Sequence, residues 1–197
     1  MNYIQDAVPM DVIEKYIHKK RAEGKNGFGA MHVLVAAYIR MLSQKPGLNR
    51  FLSGLRIYAR HNIEIIMAVK KELSIDAPET MIKFVFEPTA TADDVYNQFT
   101  EKIDAFKNAE EKESAFDFVA SLLGSLPRFI LRGTVGFLKF LDHNGWLPKF
   151  LTDLSPFHGS LVITSMASLG IPPIFHHLYK FGYVPVFIAF SAIRREN

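Results

Sequence analysis

Histidine is the residue type in this chain best suited to chemistry near neutral pH, and there are seven: His18, His32, His61, His143, His158, His176 and His177. An imidazole can ligate a metal or exchange a proton with a substrate. The spacing argues against a chelating pair, because neither H-x-x-x-H nor H-E-x-x-H occurs. His176 and His177 are adjacent, so regular structure sends their rings to different sides. The expectation is one packed ring and one ring at the surface or an interface. The stretch GKNGFGAMH, from Gly24 to His32, puts three glycines ahead of a helix. It lacks the G-x-G-x-x-G spacing and the Lys-Ser/Thr of a phosphate loop, so it reads as a loop that ends one helix and starts another. No G-x-S-x-G elbow is present. Nothing in the sequence fixes the separation of two carboxylates for glycoside chemistry. Cysteine is absent, which excludes disulfides, thiolate metal sites and a cysteine nucleophile. A cytoplasmic protein without a bound metal fits that composition.

These residues need a scaffold, and the composition supplies one. A length of 197 residues favours one domain with its own core. Hydrophobic residues make up 49% and charged residues 22%, which suits a folded chain and argues against disorder. The net charge of +3 is spread along the chain, without the concentrated basic stripe of a nucleic-acid binder. His18–Arg21 and the terminal Arg194–Asn197 read as solvated runs. The N-terminus lacks a basic region followed by an apolar one, so no signal peptide is expected. The most apolar region, from Phe116 to Leu151, is broken by Asp117, Pro127, Arg128, Arg132, Lys139, Asp142 and Pro148. That rules out a clean membrane span. The region reads first as helices packed on a sheet and on a neighbouring subunit. A second reading is an amphipathic element on a membrane surface, with Arg128, Arg132 and Lys139 facing headgroups.

Periodicity gives the elements. Met10–Gly24 reads as a helix capped by Asp11, with Val12, Ile13, Tyr16 and Ile17 on one face. Ala30–Asn49 holds a more buried helix, with Met31, Val35, Tyr38 and Leu42 at helical spacing and Pro46–Gly47 ending it. Leu55–Leu73 predicts two strands with a turn near Arg60–Asn62, and Glu79–Pro88 a third, with Ile82, Phe84 and Phe86 on one side. Thr91 opens a helix whose Val95, Phe99, Ile103 and Phe106 trace one face. Two helices follow, broken near Ser125–Pro127. Gly159–Met166 and Val184–Ile193 read as strands. This order predicts an α/β fold: a two-layer sandwich of a mixed β-sheet covered by helices.

Several segments together resemble the catalytic domain of the acyltransferase subunits of 2-oxoacid dehydrogenase complexes, whose fold chloramphenicol acetyltransferase shares. A buried helix runs into Lys45, Pro46, Gly47, Leu48 and Asn49, similar to that family's His/Lys-Pro-x-Leu-Asn signature. LRIYARHNIEIIMAVKKE resembles its following strands, which end in an Ala-Val like Ala68–Val69. HGSLVITSMASLG resembles its G-G-x-F-T-I-S-N-L-G stretch, and VPVFIAFSA the strand after that. The resemblance covers roughly residues 10 to 195. The loop after Glu72 is shorter than in that family, and the apolar block before Ser155 is longer.

The resemblance implies acyl transfer from coenzyme A to a thiol or hydroxyl acceptor, in a homotrimer with active sites between subunits. A histidine would act as general base, and a Ser or Thr hydroxyl would donate to the tetrahedral oxyanion. Position by position, Thr164 matches the hydroxyl-bearing residue, and Ser165 stands where the family has Asn. Either could equally be a strand hydroxyl bonded to backbone. The family carries its histidine in D-H-R-x-x-D-G, after the strand matched by VPVFIAFSA, and the sequence stops at Asn197 before such a segment. Asp142–His143 does not substitute, because Asn144 replaces the Arg, Leu147–Pro148 replace the Asp-Gly, and the order along the chain is wrong. His158, His176 and His177 remain as candidate bases, with His177 taken with Thr164 and Ser165 as the site. The expectation is therefore a single acyltransferase-like domain over residues 1–197, C-terminally incomplete relative to the family. A non-catalytic oligomeric scaffold of the same fold is the alternative.

Overall fold

The core begins on helix α2 (Ala30–Gln44), where Val35, Tyr38, Ile39 and Leu42 are buried along one side. Their spacing is that of a single apolar stripe. A computed structural model describes residues 2–70, 79–108, 121, 124–167, 170–178 and 181–194. In it the stripe meets a four-stranded sheet of β3 (Ile63–Lys70), β4 (Glu79–Phe86), β5 (Leu161–Ser165) and β6 (Phe187–Phe190). The strand order is β4-β3-β5-β6. The β3–β4 pair is antiparallel, whereas β3–β5 and β5–β6 are parallel. The sheet is mixed, as the order of elements predicts.

Alternation along the strands divides the apolar residues between two faces. Ile63, Ile65, Met67, Phe84, Leu161 and Ile163 pack under α2 and α3 (Ala92–Asn108). Ile66 and Val162 point the other way, into a smaller cluster with Val184 and Phe187. Consecutive residues Ile65 and Ile66 are both fully buried, which is the mark of a strand covered on both sides. Helix α3 starts as expected at Thr91. The Asp94 amide donates to the Thr91 hydroxyl at 3.4 Å, and the Thr91 amide donates to the Asp94 carboxylate at 2.8 Å. This reciprocal pair satisfies two backbone donors at the helix start.

Helix α1 (Asp11–Ala22) forms, but not as the sequence suggests. Met10 occupies the cap position, Asp11 is already helical, and no side chain caps the helix. Of the predicted face only Ile17 is buried, while Val12 is exposed. The helix is held instead by the following loop. Phe28 is fully buried and stacks on His32, with ring centroids 5.0 Å apart, while Tyr16 meets it edge-on at 5.9 Å. The glycines around Phe28 thus belong to a loop that seats an aromatic plug between two helices.

A short strand β1 (Arg50–Ser53), not foreseen from the sequence, pairs with β2 (Arg56–Ala59) as a separate hairpin. The two strands predicted on either side of Arg60–Asn62 therefore lie in different sheets. Of the two helices predicted around Ser125–Pro127, the first falls mostly outside the described residues. The second is α4 (Arg128–His143), followed by the short α5 (Lys149–Leu154). The region is expected to pack on the sheet and on a neighbouring subunit; within this single chain α4 has no buried residue. Its outward aromatic residues meet no complementary surface in the described chain. Among the described residues no helix is long and apolar enough to cross a membrane.

The Pro46–Asn49 turn that ends α2 has a structural role. Asn49 is buried; its amide nitrogen donates to the Asn62 carbonyl at 3.0 Å, and its amide oxygen accepts from the Ser160 hydroxyl at 2.7 Å. The Asn49→Ala variant leaves both partners unpaired in a dry place. It should lower unfolding free energy by about 1–3 kcal/mol in urea titration. Leu48→Ala, at an exposed neighbouring position, should change it by less than about 0.5 kcal/mol.

Candidate functional site

Thr164 and Ser165 occupy the C-terminal end of β5, an interior strand flanked by β3 and β6. Both are half-buried. Strand alternation puts them on opposite faces. Ser165 shares the side of Leu161 and Ile163, under the α2 layer. Thr164 shares the side of Val162, away from that layer. Ser165 is also engaged locally, its hydroxyl accepting the Ala167 amide at 3.3 Å. The register pairs Thr164 with Ala189 of the edge strand β6.

Ala189 lines a cleft of about 550 Å³ between β6, the N-terminal segment and the 173–178 segment. Its walls are mainly apolar and include Tyr3, Leu34, Phe187 and Phe190. The two adjacent histidines separate as expected. His176 lines the cleft, stacks on Phe187 with ring centroids 4.7 Å apart and donates from Nδ1 to the His177 carbonyl at 2.6 Å. His177 is exposed. Among the described residues no hydrogen bond joins Thr164, Ser165 and His177, so the three do not form a closed array.

The structure does assemble one array that sequence reasoning missed. His158 is 1% exposed. Its Nδ1 lies 2.8 Å from the Ser155 hydroxyl and its Nε2 lies 3.1 Å from the Asp142 carboxylate. Phe181 and Tyr183 close over the ring edge-on, with centroids 5.4 and 4.5 Å away. Gly182 lies between these two aromatics with φ +77°, a conformation that favours glycine, and a Cβ there would strike the Phe157 carbonyl.

Charge gathers around this ring. The Arg60 guanidinium lies 4.4 Å from the Phe51 ring centroid and 3.8 Å from Glu64. Lys83 donates to the Thr152 carbonyl at 2.6 Å and lies 3.7 Å from Glu64. Burial pulls both the Lys83 ammonium and the His158 imidazole below their usual pKa values, with Asp142 opposing the shift at His158. Burial pushes the Tyr183 phenol up to about 12.

The order hydroxyl, imidazole, carboxylate resembles a nucleophile triad, but the surroundings argue for another role. The Ser155 hydroxyl also accepts the Phe157 amide at 3.2 Å, and the ring between hydroxyl and carboxylate is sealed from solvent. A substrate carbonyl has no approach to such a serine. What the array does is hold the end of α4, through Asp142, against the approach to β5. The Ser53 hydroxyl adds to this by donating to the Asp142 backbone carbonyl. No sequence signal joins Asp142 to His158. The nearest one is the Ser155–His158 spacing within SPFHGS, which is also what an ordinary turn would show. Among the described residues no group of three or more histidine, aspartate or glutamate side chains converges as a metal site would require.

No protein-family model and no curated protein matches the sequence. Among solved structures the chain is similar to the cubic core of the pyruvate dehydrogenase multienzyme complex, at 14% identity and a TM-score of 0.40, covering 86% of this chain and 55% of that one. It is similar to the dihydrolipoamide acetyltransferase of Azotobacter vinelandii, at 14% identity and 0.38, covering 84% and 54%. It is also similar to a probable dihydrolipoamide acetyltransferase from Listeria monocytogenes, at 13% identity and 0.41, covering 97% and 76%. The chain therefore spans a little over half the length of the first two.

The buried His158 sets a pH dependence. Its folded pKa lies below the ordinary value of 6.5, so between the two values the unfolded chain binds the extra proton. Stability is full above about pH 6.5 and falls as the pH drops below it. His158→Gln lacks that titration. Urea unfolding measured at a series of pH values should show a flatter loss between about pH 7 and pH 5 for the variant than for the parent.

Proposed function

We propose that this chain is a single acyltransferase-type domain that accepts an acyl group from coenzyme A and passes it to a thiol or hydroxyl acceptor. The acceptor S–H or O–H attacks the thioester carbonyl, and the carbon–sulfur bond to coenzyme A breaks. A histidine takes the acceptor proton and returns it to the departing sulfur, so that the free thiol of coenzyme A leaves. The Thr164 hydroxyl donates to the oxyanion that forms between these steps. Thr164 is preferred to Ser165, whose hydroxyl faces the helix layer and is used by its own turn. Of the candidate bases His158, His176 and His177, His177 is the exposed one and is taken as the base. The reading includes a cytoplasmic homotrimer in which each copy completes its neighbour's site, and an exposed base suits that arrangement.

One observation carries the reading. Thr164 is register-paired with Ala189, and Ala189 lines an apolar cleft of about 550 Å³. Thr164 thus stands one strand behind the cleft wall, on the side from which a hydroxyl could reach the carbonyl of an acyl chain lying in the cleft. The motif resemblance from Lys45 to Asn49 and across His158 to Gly170 supports the same assignment.

The alternative is a scaffold of the same fold without turnover. It is favoured by the β1–β2 hairpin, whose Leu52 and Ile57 are register partners and both exposed, and whose tip residue Leu55 is 98% exposed. Such a hairpin suits insertion into another protomer.

The test is release of free thiol from acetyl-coenzyme A and longer acyl-coenzyme A in the presence of a small dithiol or alcohol. Thr164→Ala should slow turnover roughly 10²- to 10³-fold, and Ser165→Ala should leave it within about threefold. Equal rates for Thr164→Ala and the parent would overturn the assignment of Thr164. No turnover with any acyl donor would favour the scaffold.

A further inference from the structure

Helix α4 is strongly amphipathic yet buries none of its residues. Its winding sorts the side chains into three strips. Leu131, Thr134, Leu138 and Leu141 are half-buried and form the seam that rests on the protein. Phe129, Ile130, Phe137 and Phe140 are exposed and share the outward side, Phe129 at 76%. Arg128, Arg132 and Lys139 are all exposed and run along the border of that apolar strip. Past the helix, exposed Trp146 packs edge-on against Phe140 with ring centroids 6.1 Å apart, extending the strip. Exposed Lys149 and Phe150 of α5 repeat the pairing of cation and aromatic. Among the described residues, none of these four cations is in an ion pair. The acid of α4, Asp142, is held by His158.

We infer that this surface rests on an anionic phospholipid bilayer, lying in its plane. The aromatic side chains enter the boundary between headgroups and acyl chains, and the cations meet lipid phosphates. Apolar burial alone would suit a second copy of the chain equally well. The border of unpaired cations is what favours lipid, because a row of arginine and lysine beside exposed phenylalanine matches an interface that is apolar below and anionic above. Tryptophan settles at that depth, and phenylalanine is among the side chains that an interfacial helix buries there. The helix has only 16 residues, too few to span a bilayer. The inference rests on exposure and charge and is independent of the acyl-transfer reading.

Trp146 is the single tryptophan of the chain, so its fluorescence reports on this surface alone. Mixing the full chain with vesicles of equal parts phosphatidylcholine and phosphatidylglycerol should shift its emission to the blue and float the protein with the vesicles. Pure phosphatidylcholine vesicles should do neither. Phe137→Glu, and separately the pair Arg132→Glu and Lys139→Glu, should weaken binding by at least about tenfold. Circular dichroism should be unchanged, since all three positions are exposed. Thr164→Ala should bind vesicles like the parent, which separates this test from the catalytic one. Absence of both shift and flotation overturns the inference, as does undiminished binding by the variants. If Phe137→Glu instead dissociates an oligomer in light scattering while vesicles bind neither protein, the surface belongs to a second copy of the chain.

Discussion

The parallel pairing of β3 with β5 is the constraint on which the rest of the molecule depends. It joins segments about a hundred residues apart, as the Glu64–Ser160 contact shows with its separation of 96. A parallel pair has no tight turn to set its register, so side chains must do so. Ser160 is the hub. Its amide donates to the Glu64 carbonyl at 2.7 Å and its hydroxyl accepts the Glu64 amide at 3.1 Å. Its carbonyl accepts the Tyr38 hydroxyl at 2.9 Å, and Asn49 accepts its hydroxyl proton. Helix α2, its terminal turn and two strands are thus tied at one buried point. At neighbouring Gly159 a Cβ would press into the end of the Ile66 side chain, so a larger residue there would force Ile66 to shift. A slip of one residue would unpair every group in this lock and turn Leu161 and Ile163 away from the core.

Just outside the lock lies a second layer of polar order, made of charges rather than hydroxyls. Two cations, Arg60 and Lys83, share Glu64, and Asp142 holds His158. Removing such groups from water is costly unless each finds a partner. The cost is offset here by aromatic faces, as where Arg60 lies over Phe51 and Tyr183, and by backbone carbonyls, as where Lys83 meets Thr152. The neutral histidine is a further economy: buried uncharged, it still makes two polar contacts. These contacts bring β1, β3, β4, α4, α5 and the approach to β6 to one end of the sheet.

The outer surfaces tell a different story from the core. The hairpin turns Phe51 and Tyr58 inward, stacked at 5.5 Å, and leaves Leu52 and Ile57 outward. Helix α4 rests on its leucine seam and leaves its phenylalanines in water. Isolated exposed apolar residues are ordinary, but continuous strips mark contact surfaces. The protein thus presents an interior strand with a hydroxyl near a cleft, and at least two surfaces whose apolar content exceeds what the single chain covers.

The sequence by itself determined most of the elements and the inward faces of α2, β4 and α3. The stripe of Val35, Tyr38 and Leu42, the alternation of Ile82, Phe84 and Phe86 and the Thr91 cap all follow from local patterns along the chain. It determined the mixed α/β class through the order of those elements. Only the tertiary structure decided that β2 pairs with β1, that Phe28 rather than an Asp11 cap secures the first helix, and that α4 keeps its aromatic strip outside. Tertiary structure alone also brought Asp142 to His158 and set Thr164 beside Ala189. Periodicity is a property of neighbours along the chain, whereas these contacts are made between segments that only folding brings together, and their partners leave no spacing to read.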